Sequence, residues 1–328
     1  MPPTASVIVV TLDRPDCLLK CLQCLFAQTV KPLQVIVVDG SPAGQSRAIV
    51  QRFPQALYLQ NPHGYGHMTL SRNIGLSHAR GDVVAMIDDD AFAEPPWLEH
   101  LLEVYADPKV GGVGGRAINN LPEPDVPADQ IGRLWPNGCL AANFHADPKR
   151  IIEVDHIIGC NMSFRRDVLL KLGGLRDDFP GTEVGEDTDI SLRVRRLVYK
   201  IMFNPAACVF HVGAPHARGR RFGVRYEFFH RRNNFILLLR NFGPRPIVWR
   251  YLGRTSFLAG LSAIRKTGNA LLRLLAHFAG AAVGIVQGCA MVLRDGTDPV
   301  RRMPIQPPHE NQPLEQEEQT DPTPISNS

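Results

Sequence analysis

Gly81-Asp82-Val83-Val84-Ala85-Met86-Ile87-Asp88-Asp89-Asp90-Ala91 is the stretch from which the rest of the chain is read. Five apolar residues, β-branched at Val83, Val84 and Ile87, run into three successive carboxylates. A short apolar run of this kind reads as a strand buried on both faces, the pattern of a parallel sheet. Asp88, Asp89 and Asp90 then fall at its carboxyl end, where open α/β sheets hold their ligands. Residues two apart in extended chain point to the same side, so Asp88 and Asp90 converge while Asp89 faces away. Neighbouring carboxylates repel unless a cation lies between them, and Mg2+ or Mn2+ suits such oxygen ligands. The same residues also read as an acidic, solvated turn, so the segments around them decide.

Strand and helix patterns alternate before the acidic strand. Ser6 to Val10 predicts a first strand, ending in Thr11-Leu12-Asp13-Arg14-Pro15, with Pro15 in the first turn of a helix that runs to about Ala27. Leu33 to Val38 predicts a second strand, closing on Asp39-Gly40-Ser41. A helix near Gln45 to Phe53, a strand from Ala56 to Leu59 and a helix from Thr69 to Ala79 follow. This is an α/β chain with a doubly wound, mostly parallel sheet. No glycine fingerprint follows the first strand, Gly111-Gly112-Val113-Gly114-Gly115 is spaced wrongly for one, and there is no Walker loop. A bound diphosphate would need another holder, and a metal on Asp88 and Asp90 would serve. Farther on, residues 119–129 are rich in proline and acid, as loops are. Ile151 to Ile158 returns to a strand pattern, and Arg166 to Leu172 predicts a short helix closed by Gly173 and Gly174. Glu186, Asp187 and Asp189 open a helix whose far end carries Arg193, Arg195 and Arg196, matching the macrodipole. Two short strands, 201–203 and 208–212, come next, the second bearing His211.

At 328 residues, 44% hydrophobic and 21% charged, the chain is globular and large enough for one compact unit with an extension, or for two domains. Its net charge of +4 says little, but ten arginines crowd residues 218–254, with Glu227 the one acid among them. Such a cluster favours phosphates or an anionic membrane surface, and equally reads as a solvated basic face. No recognisable nucleic-acid-binding fold accompanies it. Seven cysteines lack a disulfide or zinc spacing, and Cys17, Cys21 and Cys24 share a helix face with Leu18 and Leu25, so they read as core thiols. No basic segment and no apolar run of signal length opens the chain, so the expectation is a cytoplasmic protein. Aromatic residues and arginines mix over 226–239, and 271–293 is apolar but rich in alanine and glycine. The latter reads as a helix lying on a membrane or packed on the core rather than spanning. The proline-rich, polar stretch 296–328 reads as disordered.

Taken together and in order, these residues resemble a GT-A glycosyltransferase of the large inverting family two, over roughly Ser6 to Gly213. The pieces are Val37-Val38-Asp39-Gly40-Ser41, Ser71-Arg72-Asn73-Ile74-Gly75, Ile87-Asp88-Asp89-Asp90-Ala91, Gly159-Cys160-Asn161-Met162-Ser163-Phe164-Arg165, Glu186-Asp187 and His211. The resemblance implies a GT-A fold with a nucleotide-sugar half (1–115), an acceptor and base half (116–225), a membrane-associated helical extension (226–295) and the tail. It implies Mg2+ or Mn2+ on Asp88, Asp90 and His211, and a nucleotide-sugar held by Thr11, Asp39, Arg72, Asp88 and Asp89. Asp187 would be the catalytic base, with Glu186 orienting the acceptor or capping the helix. Asp39 and Arg72 suit a pyrimidine, hence a UDP- or dTDP-sugar donor. The acceptor would be a hydroxyl of a glycan or lipid-linked molecule, in surface-polysaccharide synthesis of the rhamnosyl- or galactofuranosyl-transferase type, at the inner face of the cell membrane. Plainer readings stand beside each residue: Asp39 as a turn residue, Arg72 as a helix surface charge, His211 as a strand-end histidine, and the Glu186 cluster as helix-terminal acids. Two other functions fit parts of the pattern. One is a phosphatase with an aspartate nucleophile, whose acids belong on the first strand; the other is a non-catalytic membrane module that keeps the fold.

Overall fold

The computed structural model describes residues 2–64, 67–119, 125–179, 181, 184–213, 223–256 and 270–297. The expected disorder of the tail therefore lies almost wholly outside the described residues.

Strands β1 (Ala5–Thr11), β2 (Gln34–Asp39), β3 (Ala56–Gln60) and β4 (Val83–Asp88) form the parallel part of a nine-stranded mixed sheet. Beyond β4 the order continues through β10 (Asn161–Arg165), β6 (Val110–Ile118), β11 (Lys200–His211) and β5 (Ala91–Ala93). Strand β9 (Ile152–Val154) pairs with β11 off this path. β10 runs antiparallel between β4 and β6, and β5 and β9 run antiparallel to β11, so the far half is mixed rather than parallel. A small hairpin, β7 (Arg133–Leu134) with β8 (Leu140–Ala141), stands apart from the sheet.

Both faces of the sheet are covered, as the unbroken apolar runs require. Val7 and Val9 of β1 point into one core with α1 (Pro15–Phe26) and α4 (Trp97–Leu102). Ile8 and Val10 point into the other with α3 (Met68–His78), α5 (Arg166–Lys171) and α6 (Glu186–Arg196). Cys21 is buried in the first core and all seven cysteines are free thiols. The helix expected at 45–53 is reduced to one turn, α2 (Arg47–Val50), because the loop before it folds back on Asp39. The two strands expected near 201 and 209 are one long strand, β11, whose register slips between Asn204 and Val209 around Pro205.

The C-terminal helices α7 (Val224–Phe242), α8 (Pro246–Arg250) and α9 (Ala270–Asp295) make a third layer. α9 lies along α7 on its glycine face. A Cβ on Gly284 would come within 2.6 Å of the Arg232 carbonyl oxygen, so only glycine allows the two backbones to approach so closely. Glu227 and His277 pair across the helices at 2.7 Å, and Arg232 donates to Gln287 at 2.7 Å. Among the described helices, α9 is long and apolar enough to cross a membrane by length and composition. Here one face packs on α7 and the other carries exposed Leu271, Leu272, Leu275, Phe278 and Val286. The layer also buttresses α6: Ile236 and Leu237 cluster with Phe179 and Leu192, and Asn241 donates to Asp189 at 2.8 Å.

Candidate functional site

Register places the site. β1 pairs with β4 so that Val10 stands opposite Asp88, and with β2 so that Thr11 stands opposite Asp39. All three sites therefore sit at the carboxyl ends of the parallel strands, where strand order turns from β2-β1 to β4. β10 pairs Asn161 with Ile87, which carries Gly159 and Cys160 to the same edge. β11 pairs His211 with Ala91, which brings the imidazole to the acidic turn.

Asp88, Asp90 and His211 each offer a ligand atom, and these atoms all lie within 4.8 Å of one another. His211 Nε2 is 3.3 Å from Asp90 Oδ1. Burial works against charge on His211, but the Asp90 and Cys160 side chains and Asp88 override it and push its pKa up to about 11. A ring held protonated in this way gives up its proton when it ligates a metal, which leaves two carboxylates and an imidazole as donors. That set fits a divalent cation such as Mg2+ or Mn2+. Asp89 faces the other way, as its position between the pair requires. It is wholly buried and accepts from the Thr11 hydroxyl at 2.7 Å and from Arg14 Nε at 3.1 Å. Burial pushes Asp89 up to about 7, with Arg14 opposing and Asp90 adding. Arg14 also reaches Asp90 Oδ2 at 3.1 Å, so one guanidinium braces two members of the triplet.

The helix α6 presents Glu186 and Asp187 to the same region. Asp187 Oδ2 accepts the Gly159 N–H at 3.0 Å and Oδ1 accepts the Thr188 N–H at 2.6 Å. Arg72, 1% exposed, joins the two acidic clusters. Its guanidinium donates to Asp88 Oδ1 at 2.9 Å and to the Gly159 carbonyl at 3.1 Å, and forms a close ion pair with Glu186. Arg72 therefore ties Asp88 to the start of α6, where Glu186 and Asp187 stand.

Other residues singled out in the sequence have internal work. The Asp39 carboxylate is buried and accepts from the backbone N–H groups of Ser41 (2.8 Å) and Ser46 (3.2 Å) and from the Tyr58 hydroxyl (3.1 Å). Asp189 is buried between Arg176 at 3.1 Å and Arg193 at 3.6 Å. Sequence reading gave Arg14 no role. Its signal was its place just past the first strand, but nothing in the spacing tied it to residues 89 and 90. Asn161 was seen only as part of a motif. It accepts from Trp97 Nε1 at 2.8 Å and donates to the Arg116 and Ala207 carbonyls at 2.9 Å each, tying β10 to its neighbours.

A family model described as Glycosyl transferase family 2 matches residues 6–173, about half of the chain. The chain is 35% identical over 178 residues to glucosyl-dolichyl phosphate glucuronosyltransferase of Haloferax volcanii, covering 52% of this chain and 55% of that one. It is 29% identical over 222 residues to succinoglycan biosynthesis protein ExoM of Rhizobium meliloti, covering 64% and 67%. The chain thus spans about half the length of the first of these relatives and two thirds of the second. Among solved structures, mannosyltransferase PcManGT from Pyrobaculum calidifontis in complex with GDP-Man and Mn2+ aligns with a TM-score of 0.52 over 90% of this chain and 88% of that one, at 19% identity. That likeness is one of fold, and the fold is the GT-A arrangement.

Proposed function

The chain belongs to glycosyl transferase family 2, and from that footing we propose that it is a metal-dependent, inverting glycosyltransferase. It moves a sugar from a UDP- or dTDP-sugar to a hydroxyl of a glycan or lipid-linked acceptor in cell-surface polysaccharide synthesis. One observation supports this reading: Arg72 contacts both Asp88 and Glu186, so the metal-ligand set and the carboxylate pair are neighbours. Asp88, Asp90 and His211 hold Mg2+ or Mn2+. The ion, when bound, neutralises charge on the departing diphosphate. Thr11 and Arg14 keep Asp89 turned inward and Asp90 aimed at the ligand position. Arg72 steadies Asp88. Asp39, level with Thr11 at the strand ends, shapes the loop against which the pyrimidine rests. Asp187 takes the proton from the acceptor hydroxyl as its oxygen attacks from the face opposite the diphosphate, and Glu186, fixed by Arg72, orients that acceptor.

The lipid-linked acceptor is supported by the name of the Haloferax relative, which specifies a glucosyl-dolichyl phosphate. The polysaccharide role is supported by the Rhizobium relative, which takes part in succinoglycan synthesis. The exposed leucines of α9 support a protein held at the inner face of the cell membrane.

The test is a calorimetric panel of nucleotide-sugars with and without Mn2+, followed by transfer assays on the best binder. Asp90→Ala removes the metal-dependent part of donor binding. Asp187→Asn binds donor as the wild type does and loses transfer by about 100-fold or more, the usual range for a general base. Unchanged turnover of Asp187→Asn would remove it as the base, and donor binding indifferent to Mn2+ would remove the metal.

A further inference from the structure

A carboxylate can offer an ion two oxygens, but in Asp88 and Asp90 an arginine holds one of each pair. Arg14 Nη1 donates to Asp90 Oδ2 at 3.1 Å, whereas Asp90 Oδ1 lies 3.3 Å from His211 Nε2. The two oxygens are thus divided, one to the guanidinium and one to the imidazole that shares the metal-ligand set. Arg14 is pinned where it stands. Its Nε donates to Asp89 Oδ2 at 3.1 Å and its Nη2 forms a close ion pair with Asp89 Oδ1, a two-point fork on a wholly buried carboxylate. That carboxylate is fixed in turn by the Thr11 hydroxyl at 2.7 Å. Arg72 treats Asp88 in the same way. It holds Oδ1 at 2.9 Å while tied to the Gly159 carbonyl at 3.1 Å and to Glu186.

On the footing that Asp88, Asp90 and His211 hold the ion, we propose that Arg14 and Arg72 determine which ion it is. By occupying one oxygen of each carboxylate they hold Asp88 and Asp90 to single-oxygen ligation, and so set the site against Ca2+. Bidentate ligation would bring the ion onto the oxygen that the guanidinium already holds, and two positive groups on one oxygen repel. What remains for the ion is one oxygen from each carboxylate and one imidazole nitrogen. Octahedral Mg2+ and Mn2+ are satisfied by few protein ligands, with water and phosphate oxygens in the other positions. Ca2+ takes about six to eight oxygens and commonly gains them from bidentate carboxylates. Asp89 points away from the ion, yet it has a part in the selection, because it anchors the arginine that limits Asp90.

The test is Mn2+ binding to the full chain, read by electron paramagnetic resonance, with Ca2+ as the competitor. Arg14→Met frees Asp90 Oδ2, and Ca2+ gains on Mn2+ by about 10-fold, the scale on which groups behind a ligand alter metal affinity. Loss of a positive charge alone strengthens both ions alike, since both carry two charges, so the ratio isolates the freed oxygen. An unchanged ratio overturns the proposal. Arg14→Met also leaves the buried Asp89 uncompensated. Should it not fold, Arg14→Met joined to Asp89→Asn removes both charges and keeps an acceptor for Thr11, with the same shift expected. Hydration of the ion in the wild type needs no variant. Water-proton relaxation by bound Mn2+ should count about three waters, the octahedral positions that three protein donors leave open. Fewer waters would mean bidentate carboxylates and would defeat the proposal. Asp90→Ala separates the two levels. If it binds Mn2+ as the wild type does, or the wild type binds none, the metal reading itself fails and this selection with it. If Mn2+ binding needs Asp90 while the ratio stays put in Arg14→Met, only the selection by arginine fails.

Discussion

Arg72 shows how much one side chain can be asked to do inside a fold. It is buried with Glu186, 1% and 4% exposed, and it is shared between that residue, Asp88 and the Gly159 carbonyl. A buried pair of this kind adds little net stability, but removing one partner strands the other's charge. Arg72→Met is therefore expected to lower stability by about 3–5 kcal/mol. The thermal midpoint should fall by roughly 10 °C, and Arg72→Met combined with Glu186→Gln should recover part of the loss. A midpoint equal to wild type in calorimetry would show that the ion pair is not what holds α6 at the cleft. Legibility at this scale depends on chain distance. Asp88 and Asp90 converge by strand alternation, and Asp189 meets Arg193 by helical spacing, so both were readable. Arg14 was not: its partners lie 75 and 76 residues away and meet it only once β1 and β4 pair. Asp39 was read as a ligand residue or as a turn residue; its bond from the Ser41 N–H is the turn use, and only the reach to the Ser46 N–H is beyond local spacing.

Elements were legible where side chains carry the pattern. β4, α3 and α6 lie within a residue or two of their expected bounds, because each couples a clear apolar period to a clear end signal. β6 was not expected, since Gly111, Gly112, Gly114 and Gly115 depress strand propensity. The reason for the glycines is crowding: a Cβ on Gly112 would sit 2.7 Å from the Phe164 ring, and one on Gly115 1.8 Å from the Ala207 carbonyl oxygen. The helix pair α7–α9 has its own pH sensitivity. His230 faces Arg231, Glu227 and His277, stacks on Tyr226, and accepts from Asn234 at 3.2 Å through Nε2. Burial, with Arg231 adding, lowers its pKa from 6.5 to about 4. The folded state therefore favours the neutral ring. This contribution is whole above the unfolded value of 6.5 and is lost as pH falls towards 4. Glu227, lowered chiefly by its hydrogen bond with His277, loses its share in the same direction, below 4.5. Acidification from pH 7 to pH 5 should thus weaken the pair by about 2 kcal/mol through His230. Amide exchange in α7 and α9 should rise over that interval, and His230→Gln should flatten the rise. Equal exchange at both pH values would place the sensitivity elsewhere.

For the molecule as a whole, the arginine-rich run reads differently once folded. Arg231, Arg232 and Arg240 turn inward, to Glu227, to Gln287 and to Asp178, where they fasten α7 to its surroundings. Arg225, Arg245 and Arg250 remain exposed, and Arg218, Arg220, Arg221 and the Arg254 side chain lie outside the described residues. A run of charge cannot tell which side of a helix will be covered until the covering helix is known. Beside these arginines the fold leaves an apolar face outward on α9. Leu271 is 67% exposed, with Leu272, Leu275, Phe278 and Val286 beside it on α9, and Trp249 stands out from α8. A helix with one face spent on the protein and the other apolar suits a membrane surface, with tryptophan at the interface. Burying one large apolar side chain is worth about 1.5–3 kcal/mol. Replacing Leu271, Leu275 and Phe278 by serine should then weaken binding to anionic lipid vesicles by about 100-fold or more, read by co-sedimentation. Each exposed arginine near the lipid adds about 1 kcal/mol that salt removes, so binding of the wild type should fall with ionic strength but persist through its apolar part. Transfer to a lipid-linked acceptor in vesicles should fall with binding, whereas transfer to a water-soluble acceptor, which needs no membrane, should not. Vesicle binding unchanged by the triple substitution would mean that this face is covered by something other than lipid.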